Sequence, residues 1–199
     1  MEFEGIKYID TGSNLGMKSD SNLFAELYYY SDFYDEKGTK KFIKNIESLI
    51  RTSREYKNYI EQLRTNFAHL NNDVIMGNIS TLDADLEFHH YPFSLYDIVE
   101  VIVMKGAATS KLESSFSAAK KVMDLHYKNM IGLVPLMETN HELVHAGKLF
   151  ISTKQIFGNW EKFVEEYDSY INTDMKNKIK DLKEKSDANL PSDFNGYYK

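Results

Sequence analysis

The chain has 199 residues, of which 42% are hydrophobic and 27% charged, a composition typical of a globular protein with a buried core. It contains no cysteine, which excludes disulfides, thiolate nucleophiles and cysteine-ligated zinc. The net charge of −6 argues against a protein that coats nucleic acid by bulk electrostatics. No segment approaches the roughly 20 apolar residues of a membrane-spanning helix, and no secretory signal opens the chain. We therefore expect a cytoplasmic protein without a membrane partner.

The N-terminal half is predicted to contain an arm and one long helix. Residues 1–38 form an irregular, aromatic-rich arm with a short helix over 23–34. Residues 39–81 form a long helix, over 39–67, and a connector. Apolar residues recur every three or four positions along this helix, with Ser53 as the small polar exception. Its many lysines and arginines suit either a solvated face or phosphate contacts.

Residues 82–151 are predicted to contain two short strands and several helices. Residues 82–90 alternate between apolar and polar side chains, which indicates a half-buried strand. Helices follow over 94–104 and 111–128. Residues 131–137 read as a second, buried strand. A capping box from Thr139 to Glu142 then opens a short helix that stops at Gly147.

The final segment, residues 152–199, is predicted to be helical with a frayed tail. A second capping box, Ser152 to Gln155, opens a helix through about residue 171, and a charged helix follows over 174–185. The whole pattern predicts a mainly α-helical α+β protein in which the second strand is followed by a short helix.

Four of the six histidines lie in two tight clusters. His89 and His90 end the first strand, so their side chains point to opposite sides of it. His141 and His145 are four residues apart on the short helix and share one face. One histidine of the first pair can therefore join the helix pair around a metal ion, while the other faces a substrate and takes a proton near pH 7. The remaining two, His69 and His126, are interpreted as solvated, capping or packed side chains.

These residues together resemble the HNH nuclease family in its phage-encoded form. The resemblance covers about residues 82–151 and is carried by Glu87-Phe-His89-His90-Tyr-Pro92, by the strand Gly132–Leu136, and by His141 and His145. It implies an HNH-like ββα-metal core with a helical insertion between the two strands.

The resemblance also implies roles for individual residues. His90 would be the general base, and Glu87 a catalytic carboxylate that positions neighbouring groups. His89, His141 and His145 would be the ligands of a divalent ion, which could be zinc, magnesium, manganese or nickel. The implied function is a metal-dependent DNA endonuclease that hydrolyses phosphodiester bonds of double-stranded DNA in the host cell cytoplasm.

Two alternatives stay open at the level of sequence. Gly132 stands where the family has an asparagine, which favours a catalytically inactive HNH-like fold. Such a protein would be a structural or interaction component of a phage complex, with a phage protein as partner. The other alternative is a hydrolase of small phosphoesters that uses the same metal.

Overall fold

A computed structural model describes residues 27–28, 36–109 and 113–189, which form a mainly helical α+β protein. The predicted arm, apart from 27–28 and 36–38, and the predicted frayed tail lie outside the described residues. Within the described ranges the helices are α1 Glu36–Thr52, α2 Arg54–Asn66, α3 Leu95–Ala108, α4 Ser115–Tyr127, α5 Glu138–His145, α6 Trp160–Tyr167 and α7 Thr173–Asn189. The strands are β1 Leu27–Tyr28, β2 Leu86–His90, β3 Glu113–Ser114 and β4 Leu133–Met137.

The chain divides into two compact units that are interleaved in sequence. The first comprises the described residues of Met1–Tyr59 and Leu95–Lys128, and the second those of Ile60–Ser94 and Asn129–Lys199. The predicted helical insertion between the two strands therefore belongs to a different unit from the strands themselves. The division of the sequence into four segments stays a prediction.

The first unit is built from three mutually packed helices, α1, α3 and α4. The short strands β1 and β3 pair antiparallel, with Leu27 opposite Ser114. The apolar stripe of α1 is buried, as the spacing predicts, and α1 packs with α3, which has eight buried residues. The predicted short helix over 23–34 is wrong at Leu27–Tyr28, which form β1.

The long predicted helix is two helices that meet at Ser53. The Ser53 hydroxyl donates to the carbonyl of Ile50 at 2.7 Å and accepts from the Tyr56 amide at 3.0 Å. Accepting from the third amide of the next helix is what an N-cap side chain does. Ser53 is also 97% buried, since only 3% of it is exposed. The one small polar residue in the apolar stripe therefore ends α1 and starts α2.

The second unit is built around the antiparallel pair β2 and β4. Leu86 lies opposite Met137 and His90 opposite Leu133, and the Tyr91 amide extends the ladder to the Gly132 carbonyl at 3.0 Å. Phe157 pairs with Leu133 from the other side. β4 is nearly completely buried, which agrees with its predicted apolar run. β2 is shorter than predicted because residues 81–84 form a turn.

Of the two predicted capping boxes, the first is not formed and the second opens a shorter helix than predicted. Helix α5 begins at Glu138 rather than after Thr139, with Met137 in the N-cap position. Ser152 and Gln155 do form a reciprocal capping box, but it opens a three-residue 3₁₀ helix. The longer helix after it starts at Trp160, where the side chain of Asn159 accepts from the Lys162 amide. The predicted charged helix is confirmed as α7.

Candidate functional site

The strand and helix geometry of the second unit brings three of the four predicted histidines together and places the fourth elsewhere. Neighbouring residues on β2 face opposite sides, so His89 and His90 are separated. His89 is half-buried, whereas His90 is buried, with 4% of its surface exposed. Helix α5 follows β4 without a loop, which places His141 and His145 beside His89.

His89, His141 and His145 form a compact group, here called the three-histidine cluster. The Nε2 atom of His141 lies 3.0 Å from Nδ1 of His89 and 3.0 Å from Nε2 of His145. The ring centroids are 4.6 to 4.8 Å apart. One nitrogen from each ring lies within 4.8 Å of the others, the spacing of groups that can share a metal ion. His145 is exposed, so the cluster opens to solvent on that side.

Glu87 contacts the cluster from the same strand as His89. Its Oε2 atom lies 3.2 Å from Nδ1 of His141, on the opposite side of that ring from the cluster. A carboxylate at this distance favours the tautomer with its proton on Nδ1, which leaves the Nε2 lone pair on the side of the ring that faces the cluster. The structure therefore brings together four of the five predicted site residues and places His90 apart from them.

Gly132, which departs from the nuclease pattern, is required by packing. A Cβ atom at position 132 would overlap the carbonyl oxygen of Tyr91 and lie 2.8 Å from Cγ2 of Ile156. No side chain larger than hydrogen fits between these neighbours without moving them. Gly132 is therefore set by the close approach of β4 to the end of β2.

Asp73, which the sequence analysis missed, holds the start of the helix that carries two of the clustered histidines. It is fully buried and accepts four hydrogen bonds. Two come from its own turn, the amides of Ile75 and Met76 at 2.9 and 2.8 Å. The other two come from the start of α5, the Met137 amide at 2.7 Å and the Asn140 side-chain amide at 2.9 Å. The only sequence signal was a polar run, Asn71-Asn72-Asp73, before an apolar pair.

A separate cavity of about 720 Å³ lies elsewhere in the second unit. Aromatic residues on its wall include Phe67, Phe157 and Trp160, and Lys183 lies 5.5 Å from the Trp160 ring while pairing with Glu161 at 2.9 Å. None of the three clustered histidines lines it. The cavity and the cluster are therefore distinct features of the described residues.

Within the described residues, the mainly helical fold with two small antiparallel strand pairs defines an α+β protein rather than a particular chemistry. The chain belongs to the bacteriophage G278-like virion protein family, whose model matches residues 6–197. No curated protein and no solved structure matches the chain significantly. Within the described residues, no helix is both long enough and apolar enough to cross a bilayer.

The family assignment corrects the nuclease interpretation. The resemblance to the HNH family, and with it the functions of DNA endonuclease, nuclease and hydrolase, are wrong, because the matching family is one of virion proteins. The physical reason is that two strands, a helix and a few histidines make a short local pattern, and a local pattern does not fix function. The sequence alternative, a component of a phage complex, is the better supported one. The roles of His90 and Glu87 came with the nuclease resemblance alone and stay untested predictions.

Proposed function

We propose that this protein is a structural component of a bacteriophage particle that acts by binding other phage proteins. The observation that carries the proposal is the match of nearly the whole chain, residues 6–197, to a virion protein family. The expected place of action is therefore the particle rather than the host cytoplasm. The expected DNA partner came from the nuclease interpretation and stays an untested prediction.

The composition of the chain supports a role in protein contacts. A net charge of −6 disfavours close packing against a phosphate backbone. The connecting segment between Asp73 and β2 carries two exposed apolar side chains, Met76 at 51% and Leu82 at 95% exposure. Single exposed apolar residues are common, but Leu82 in particular is available for contact with another protein.

Purified particles provide the first test. The protein is expected to sediment with infectious particles in a density gradient and to be detected there by mass spectrometry at a fixed ratio to the other virion proteins. A phage with a nonsense mutation in this gene should yield fewer or defective particles. The proposal is refuted if the protein stays in the lysate supernatant and mutant particles are normal in number and form.

The absence of cysteine allows a sharper test of the partners. A Leu82→Cys variant has one thiol on a nearly fully exposed side chain, to which a photoactivated crosslinker can be attached. Crosslinked partners in assembled particles should be phage proteins. A variant with its thiol at another exposed position, Lys180→Cys on α7, controls for labelling by proximity alone.

A further inference from the structure

We propose that the three-histidine cluster binds one divalent ion of the zinc class and that this ion fastens β2 to α5. The inference goes beyond the virion role and does not depend on it. It rests on the positions of the three imidazoles, on the contact of Glu87, and on the short helix that carries two of the ligands.

The first argument is that hydrogen bonds alone satisfy the cluster poorly. A neutral imidazole nitrogen has either one proton or one lone pair, directed along a single line in the ring plane. Nε2 of His141 has a neighbouring ring nitrogen 3.0 Å away on two sides. Its single proton or lone pair must therefore be shared between two neighbours, whichever tautomer the ring adopts. A cation between the three nitrogens satisfies three lone pairs at once.

The second argument concerns distance. Zinc lies about 2.0–2.1 Å from imidazole nitrogen in a tetrahedral site, which puts two ligand nitrogens roughly 3.3 Å apart. The two short separations here are 3.0 Å, and all three donor atoms lie within 4.8 Å. Small rotations of the rings are therefore enough to seat one ion.

The third argument concerns the choice of metal. Imidazole donors suit zinc, nickel and copper, whereas magnesium and calcium prefer oxygen donors. All three cluster ligands are imidazoles, and the neighbouring carboxylate of Glu87 is 64% exposed and contacts the far nitrogen of His141. Glu87 is thus a positioning residue that fixes the His141 tautomer, an arrangement common behind metal-bound histidines. Of the ions expected from sequence, the geometry favours zinc over magnesium.

The location of the ligands gives the ion a structural role. Helix α5 has only eight residues, and a helix of that length is not stable alone in water. Asp73 holds its first turn, and the two ligands are its fourth residue, His141, and its last, His145. An ion shared with His89 joins two segments that are 52 residues apart in the chain. In a protein without cysteine, such an ion links two distant segments and stabilises the folded unit, as a disulfide does in other small proteins.

Metal titration of the full-length protein tests the proposal. After removal of metal by a chelator, Zn²⁺ should bind at a ratio of one per chain by calorimetry and should raise the melting temperature. Co²⁺ should give the visible absorption bands of a tetrahedral site with nitrogen ligands. No stoichiometric binding of Zn²⁺, or tighter binding of Mg²⁺ than of Zn²⁺, would overturn the proposal.

Variants locate the ion at the cluster. His145→Ala removes a ligand whose side chain is exposed. It should weaken Zn²⁺ binding by more than about 100-fold, which is the largest loss expected when a residue that only contacts a ligand is removed. Glu87→Gln should weaken it about 10–100-fold. His69→Ala, on a histidine outside the cluster, is the matched control and should leave the affinity unchanged. Circular dichroism of each variant checks folding. If His145→Ala fails to fold, the exposed Glu87→Gln decides, and unchanged affinity in a folded variant refutes the site.

Discussion

Replacing Asp73 with alanine tests how the second unit holds its short helix. The substitution removes a fully buried carboxylate that accepts four hydrogen bonds. The amides of Ile75 and Met76 lie in a turn and can find water after a small movement. The Met137 amide and the Asn140 side chain sit at the junction of β4 and α5 and lose their partner.

The magnitude follows from the two donors left without a partner at that junction. A buried donor that loses its acceptor costs about 1–3 kcal/mol. The cost lies at the upper end of that range when the lost acceptor is a carboxylate. We expect Asp73→Ala to lower the free energy of unfolding by about 3–5 kcal/mol. Asp73→Asn keeps the volume and one oxygen, but its amide group would face the Met137 amide. We expect it to cost about 1–3 kcal/mol, less than alanine.

Urea denaturation measures the free energy of unfolding of each variant. A chelator is added because it removes any contribution from bound metal. Asp83→Ala is the matched control, because Asp83 is exposed and accepts from Ser80 alone. Its effect should be much smaller than that of either Asp73 variant. If Asp73→Ala unfolds at the wild-type urea concentration, or if asparagine is more harmful than alanine, the account of the helix start is refuted.

Three further predictions concern other buried positions. Burial lowers the pKa of His126 to about 4, so the unfolded chain, with a value near 6.5, binds more protons as the pH falls below 6.5. The free energy of unfolding should therefore drop by about 3 kcal/mol between pH 6.5 and 4, and His126→Phe should lose that part of the pH dependence in denaturation curves. Ser53→Ala should cost about 1 kcal/mol and reduce helicity by circular dichroism, because the helix start loses its hydroxyl; an unchanged melting curve would contradict this. Gly132→Ala should cost about 3 kcal/mol by thermal denaturation because its Cβ overlaps a carbonyl, whereas Gly77→Ala, where the space is open but φ is +64°, should cost about 1 kcal/mol.

The parts of the fold that follow from local periodicity could be predicted from the sequence. The alternation before His90 and the apolar run before Met137 both became strands, and their pairing was implied by the order of elements. The convergence of His89 with the pair on α5 followed from the same geometry, since strand alternation and helical spacing decide which side chains face each other.

What the sequence could not supply depends on contacts between distant residues. Asp73 acts on α5 from 64 and 67 positions away, and no local pattern distinguishes it from a surface aspartate. Ser53 looked like a tolerated exception in a helix face because its role depends on burial. The nuclease interpretation was wrong for a similar reason: its motif residues lie within 82–151, whereas the match to the virion protein family extends over residues 6–197.

The interleaving of the two units has a consequence for synthesis of the chain. Strand β2 leaves the ribosome before its partner β4 exists, and the whole of α3 and α4, which belong to the first unit, must be made in between. The first unit can therefore fold while β2 is still unpaired because β4 has not been synthesised. Truncation after Lys128 would leave that edge permanently open, so shortened forms of this protein should aggregate where the full chain does not.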